Sequence, residues 1–368
     1  MSTLLKDRYS KAFFDSFTEI LELLIPDFDK ELFFQHVFDR AWENRELKER
    51  MKHIARTLHA FFSADFPETV EIIRQIIENL QQRNINDQGL EYMFLPDYIE
   101  TYGINEYEHA VKCMEFVTPF TSCEFAVRPF ILKYGDRMLE QMKRWSLHEN
   151  HHVRRLASEG SRPRLPWAIA LPEIIRDPTP VFPILENLKN DPSVYVRRSV
   201  ANSLNDISKD HPEILITFAK RWIGISKDTD DTIKHASRTL LKKGNQTVLN
   251  IFGLAANTNI IIENFTIHTP VVGIGSSLEF AFVIRNADKS SLNVRLEYGV
   301  YYFRSNGKYS KKVFKISERQ LEPYQKLEIT RKQSFKPITT RRYFPGQHQL
   351  TIIINGEEKQ TGIFDLVD

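Results

Sequence analysis

Three carboxylates in this chain stand where a helix would bring them beside an arginine. Glu124 lies four residues before Arg128, Glu159 lies four after Arg155, and Asp206 follows Arg198 and Asn202 in two steps of four. Residues four apart share a helical face, so each acid is expected to meet a guanidinium. A carboxylate placed in this way can stabilise positive charge developing on a substrate, or orient a water and accept its proton. A single exposed pair of this kind is common and contributes only about 0.3–0.5 kcal/mol. The three acids are 35 and 47 residues apart, however. A chain that repeats with a similar period would stack them on one surface.

Between them runs Ser161-Arg162-Pro163-Arg164-Leu165-Pro166-Trp167. Two prolines remove backbone donors and restrict the residues ahead of them, so the segment reads as a loop. It presents two guanidiniums, suited to phosphate, and an indole, suited to stacking on a base or packing beside a sugar. Basic and aromatic groups beside a carboxylate fit a cationic group carried on DNA. Other chemistries find little support. The patterns GxxxxGK[ST], HExxH and GxSxG are missing, and His151, His152 and His211 lack partners at metal-ligand spacing, so no metal and no cofactor is expected. Cys113 and Cys123 are too few for a disulfide framework and sit in a stretch that reads as buried helix, which points to a reducing cytoplasm.

The elements that must position these residues are of two kinds. To about residue 255 apolar side chains recur at three and four, as in Phe13, Phe17, Leu21, Leu24 and Ile25, or Val70, Ile73, Ile76, Ile77 and Leu80, the stripe of a helix lying on a core. Three segments resemble one another: HENHHVRRLASEG at 148–160, DPSVYVRRSVAN at 191–202 and DTDDTIKHASR at 228–238. Their anchors Val153, Val196 and Ile233 are 43 and 37 residues apart, the period of HEAT and armadillo helix-pair solenoids. Beyond that point the period becomes two. Strands are expected near 259–267, 277–286, 292–303, 311–317, 324–335, 347–354 and 361–366, with Asn355-Gly356 turning between the last two. Seven short strands suit an immunoglobulin-like sandwich in number and size. The fold class is therefore multidomain α and β: an α-solenoid of HEAT-like repeats over 1–257, then an immunoglobulin-like β-sandwich over 258–368.

Charge follows the same division. The 368 residues sum to +2, but residues 1–127 carry −10, residues 128–243 carry +7 and the sandwich segment carries +5. A basic repeat segment followed by a basic domain is the footprint of a surface that meets phosphates, while the acidic N-terminal part is expected to cap the solenoid. With 42% apolar residues the chain can build cores, which excludes a disordered protein. No run approaches the roughly 18 apolar residues of a membrane span. Lys6, Asp7 and Arg8 precede no apolar run of the kind a secretory signal needs, so export is not expected.

The strings SCEFAVRPF at 122–130, VRRLASEGSRPRLPW at 153–167 and VRRSVANSLNDISKDHP at 196–212 resemble the signatures of the DNA alkylation-repair glycosylases built from HEAT-like repeats, in particular the AlkC branch. The resemblance spans essentially the whole chain, including the immunoglobulin-like domain that part of this branch carries. It implies a bacterial base-excision-repair enzyme that removes N3-methylated, positively charged bases such as 3-methyladenine and 3-methylcytosine from duplex DNA. It also implies that the enzyme grips and kinks the backbone while the lesion stays largely in the helix. By position, Glu124 and Glu159 resemble the family's catalytic carboxylates, with Trp167 and Asp206 beside the lesion. Cys123 is a conservative departure.

The resulting expectations are specific. A monomer grips double-stranded DNA through Arg128, Arg154, Arg155, Arg162, Arg164, Arg197 and Arg198, joined by Lys234 and Arg238 from the next repeat. In the sandwich, loops after the first, third and fifth expected strands share a pole that collects Arg304, Lys308, Arg341 and Arg342, and this pole is expected to face DNA. The alternative is a solenoid scaffold that binds damaged DNA or a protein without chemistry. A scaffold needs neither Glu124 nor Glu159.

Overall fold

The structure is a computed structural model that describes residues 4–85, 89–254, 259–338 and 341–368. Helices run from Lys11 to Ile251 and strands from Ile260 to Val367, as the change of period predicts. The expected domain boundary at 257/258 lies outside the described residues. No helix among the described residues is long and apolar enough to cross a membrane.

Local chemistry explains the helices. Ser10 caps Lys11–Leu24 by accepting from the Phe13 N–H, and the stripe through Phe14, Phe17, Ile20 and Leu21 is buried. Pro67 sits in the first turn of Phe66–Gln82, where its missing N–H costs nothing. Asn150 starts His151–Gly160 by accepting from the His152 N–H. That helix packs on Val194–Ile207, which packs in turn on Lys227–Ala236. Val153, Val196 and Ile233 are fully buried at corresponding places in these three helices, so the repeat read from the anchors is a physical stack.

The chain divides into two compact units. One is Met1–Asp210 with Gly224–Ala236, which contains the helices just described; the other is His211–Ile223 with Ser237–Asp368. The second unit thus includes the helices Pro212–Trp222, Arg238–Lys242 and Gln246–Ile251 as well as the sandwich. The reason is local packing: Pro212–Trp222 lies on Gln246–Ile251, and the Gly356 turn meets Gly244 and Leu249 so closely that a Cβ on Gly356 would fall 2.7 Å from each.

Among the described residues the sandwich has eight strands: β1 (Ile260–Ile267), β2 (Val271–Gly273), β3 (Ser277–Asn286), β4 (Leu292–Phe303), β5 (Tyr309–Leu321), β6 (Lys326–Ser334), β7 (Gly346–Ile354) and β8 (Glu357–Val367). They form a sheet β1-β3-β6 and a sheet β2-β8-β7-β4-β5. Phe280, Phe282, Ile284, Leu296, Val300, Leu350 and Ile352 fill the space between them. The eighth strand, β2, escapes sequence reading because three residues show no alternation; it exists through a parallel ladder with β8. β8 begins at Glu357 rather than 361, since its polar start is held by pairing with β7 and not by burial.

At one end of the sandwich Phe335 and Ser276 are joined by a backbone hydrogen bond of 2.8 Å, and the Phe303 N–H meets His348 Nδ1 at 3.3 Å. The Phe335 ring lies 6.0 Å from the Tyr302 ring and 6.2 Å from the His348 ring, so the 304–308 connection and the start of the segment after Ser334 share this pole. Asn355 and Gly356 lie at the other end, against Gly244.

Candidate active site

The expected carboxylates do come together, though by different pairings. Glu124 is not in a helix; it lies in the turn before Val127–Tyr134, so the four-residue rule does not apply to it and Arg128. Its Oε2 accepts instead from Arg155 Nη1 and from Ser122 Oγ, the latter at 3.1 Å. Arg155 also reaches Glu159 Oε1 at 3.6 Å, the one expected pair of the three that forms. Glu159 Oε1 accepts from Arg162 Nη1 at 2.6 Å, and Arg162 Nε and Nη2 meet Asp206 Oδ2 at 2.8 and 2.7 Å. Lys209 closes the row on Asp206 Oδ1 at 2.7 Å. Carboxylate and guanidinium alternate as Glu124, Arg155, Glu159, Arg162, Asp206. Burial opposes the charge on Arg155 and Arg162, but the adjacent acids outweigh it, and both hold their protons more tightly than usual. Arg198 is not in the row: eight residues of helix rotate by about 80° past whole turns, which leaves Arg198 exposed while Asp206 is 1% exposed.

Arg128 is a correction. It is fully buried, and its guanidinium donates to four carbonyls: Ile169 at 2.6 Å, Gly160 at 2.9 Å, Arg162 at 2.7 Å and Pro163 at 3.4 Å. It organises the 160–169 loop from inside and cannot reach a phosphate. Burial, and then the nearby Arg162, lower it to about 10, which still leaves it charged at neutral pH. Gly160 is required beside it, since a Cβ there would lie 2.5 Å from Val127 Cγ1. Arg162 is buried as well, and its guanidinium is committed to two acids, bracing one repeat on the next.

The two arginines of each VRR string do different work. Arg154 donates to the His148 and Glu149 carbonyls at the start of its own helix and to Asp191 in the next repeat. Arg197 does the same with the Asp191 and Pro192 carbonyls and Asp228. These first arginines tie repeat to repeat. The second positions, Arg155 and Arg198, turn to another face. Arg198 is exposed and lines a cavity of about 250 Å³ with Arg197, Asp231, Thr232 and His235. Lys234 and Arg238 are half-buried, and Arg164 pairs with Asp210. In the sandwich Arg304, Lys308 and Arg342 are exposed, while Arg341 rests over the Tyr302 ring at 4.3 Å.

Glu124 and Glu159 line a second cavity, of about 310 Å³, with Leu47, Lys48, Met51, Leu90, Met93, Phe125, Arg162, Leu165, Pro166 and Trp167. Asp206 is not on its wall and touches it only through Arg162. Trp167 stands at the rim, 68% exposed, with φ at +64°. That conformation costs a non-glycine residue about 1–3 kcal/mol and persists where its surroundings impose it. Lys48 was not among the expected residues. It donates to the Trp167 carbonyl at 2.6 Å and lies over the Phe125 ring at 4.5 Å. No motif surrounds it, and its partner is 119 positions away. Among the described residues no group of three or more His, Cys, Asp and Glu side chains is placed to hold a metal.

Stacked helical repeats carrying this acid row, followed by a sandwich, define a helical-repeat protein with a C-terminal β-domain, and the comparisons supply the family. Residues 40–245 match the family described as DNA alkylation repair enzyme, and residues 261–368 match the C-terminal Ig-like domain of the uncharacterised protein YhaZ. The chain belongs to the DNA alkylation repair enzyme family. It is 41% identical over 357 residues to the Uncharacterized protein YhaZ of Bacillus subtilis (strain 168), covering 97% of this chain and 98% of that one. It is also similar to the Pseudomonas fluorescens alkylpurine DNA glycosylase AlkC bound to DNA containing an abasic site analog. That structure matches with a TM-score of 0.94 and 32% identity over 100% of both chains.

Proposed function

We propose that this protein is a monofunctional DNA glycosylase that removes N3-methylated, cationic bases such as 3-methyladenine and 3-methylcytosine from duplex DNA. The observation that carries the reading is the pair Glu124 and Glu159 on one cavity wall beside the exposed indole of Trp167. A base already positive departs without protonation, so the chemistry left to the protein concerns the sugar and the water. As the bond from C1′ to the base nitrogen lengthens, the sugar becomes oxocarbenium-like, and a nearby carboxylate stabilises that charge. Glu159, held by Arg155 and Arg162, is assigned this role. Glu124 has its recorded hydrogen bonds on Oε2, so Oε1 is assigned to orient the water and take its proton. The new bond joins water oxygen to C1′, the neutral methylated base leaves, and an abasic site remains.

Duplex DNA is held, on this reading, by exposed second-position side chains such as Arg198 and by the sandwich pole with Arg304, Lys308 and Arg342. The similarity to a glycosylase bound to abasic DNA supports the assignment. Incubating the protein with methylated duplex DNA at neutral pH, without added metal, and identifying the released bases tests it. Release of 3-methyladenine or 3-methylcytosine is expected, and no release of any methylated base would overturn it. The pole is tested by the double change Arg304→Glu with Lys308→Glu, which is expected to weaken DNA binding and flatten its salt dependence by about two in slope. Deleting residues 258–368 is a poorer test, because it strips the cover from Gly244 and Leu249.

A further inference from the structure

We propose that Lys48 is a positioning residue for Trp167: its ammonium sets where the indole stands relative to Glu124 and Glu159. The role in turnover rests on the glycosylase reading above, but the geometry stands by itself. Trp167 holds a left-handed backbone conformation, which side-chain-bearing residues keep only when their surroundings impose it. The loop around it is well anchored. The Ala168 N–H meets the Leu165 carbonyl at 3.2 Å, and Arg128 holds the carbonyls of Arg162, Pro163 and Ile169. None of these bonds reaches the carbonyl of Trp167 itself. Lys48 does, at 2.6 Å, from the helix Leu47–His59.

The same ammonium lies 4.5 Å over the ring of Phe125, the residue after Glu124. One charge thus touches both walls of the cavity, the turn that carries a carboxylate and the loop that carries the indole. A cation directed at a carbonyl and a ring face is a brace, with its charge turned to the cavity wall. Burial raises the carboxyls of Asp97 and Glu100 on Phe94–Tyr102, and the charges of Lys52 and then Lys48 pull against that rise. Removing the ammonium leaves Trp167 exposed and its backbone without the bond that selects its conformation.

The four tryptophans make this directly readable, because Trp42, Trp145 and Trp222 are buried and Trp167 is exposed. Acrylamide, an uncharged quencher, therefore reports on Trp167, and Trp167→Phe identifies its component. In the full chain, Lys48→Met is expected to change that component's quenching constant by about twofold and to slow single-turnover release of 3-methyladenine by about 10–100-fold, as small misplacements of reacting groups do. DNA affinity stays within about threefold, its salt slope is unchanged, and Lys48→Arg restores most of the quenching behaviour and the rate. Unchanged quenching in Lys48→Met would overturn the proposal. So would a loss of DNA affinity with the salt slope reduced by about one, which would make Lys48 a phosphate ligand. If the wild-type protein releases no methylated base, the glycosylase reading fails, while the quenching comparison still decides what Lys48 holds.

Discussion

Arg162 and Asp206, 44 residues apart in sequence, meet through two nitrogens on one oxygen, Nε at 2.8 Å and Nη2 at 2.7 Å from Oδ2. Both side chains are buried, and the remaining nitrogen of the guanidinium is on Glu159. A single side chain therefore neutralises two acids in different repeats. Losing it would leave Glu159 to the longer contact with Arg155 at 3.6 Å and Asp206 to Lys209.

Arg162→Ala is accordingly expected to cost about 3–5 kcal/mol of stability, the usual consequence of removing one member of a buried ion pair. Arg164→Ala, which breaks the more exposed pair with Asp210, is expected to cost about 0–1 kcal/mol. Urea unfolding of the two variants separates them. Equal midpoints would show that Arg162 is not the brace described here.

Glu159→Gln and Glu124→Gln preserve shape while removing charge. Each is expected to reduce excision about 10²–10⁴-fold, the range general for a lost acid–base or charge-stabilising group, with DNA binding retained. Single-turnover release of 3-methyladenine beside a binding titration checks both halves. Near wild-type rates in both variants would remove the carboxylates from the mechanism.

The two arginines of a VRR string should separate in the same way. Arg198→Ala, at an exposed position, is expected to weaken DNA binding and lower the salt slope by about one. Arg154→Ala is expected to act on thermal stability, because its nitrogens hold two carbonyls and Asp191. Salt titrations and melting curves of both variants decide whether that division of labour holds.

Asp97 yields a pH dependence. It is buried, its Oδ2 has no hydrogen-bond partner among the described residues, and burial, then the charge of Glu100, raise its carboxyl from 3.8 to about 7 against the pull of Lys52 and Lys48. The folded chain therefore binds this proton more tightly than the unfolded one. Stability falls as pH rises between about 4 and 7 and is lowest above that window. Asp97→Asn removes the dependence, so its stability relative to wild type should improve by roughly 3 kcal/mol between pH 5 and pH 8. Urea midpoints that run parallel for the two proteins at both pH values would contradict it.

Much of the fold was legible because its signals are local. Alternation over 277–286 and 292–303 reports which side chains a sheet buries, and the spacing of Val153, Val196 and Ile233 reports a stack in which each is buried. β2 was not legible: a three-residue strand has no period, and its partner β8 lies at the far end of the chain. Glu124, Glu159 and Trp167 were legible as a group because they sit in distinctive strings, and they do line one cavity. Arg128 was misread from the same strings, since spacing carries no sign of the four carbonyls that draw it inward.

From the sequence alone came the two kinds of element, the repeat, the charge division and the residue types at the site, all of which depend on neighbours within a turn, a strand or one repeat. Tertiary structure alone decided which charge meets which. Glu124 exchanged Arg128 for Arg155, Asp206 took Arg162 instead of a place beside Arg198, and Lys48 found the Trp167 carbonyl across 119 positions. The physical reason is that a buried charge must be paired, and it pairs with whatever the packed repeats bring within about 3 Å rather than with what lies nearest along the chain.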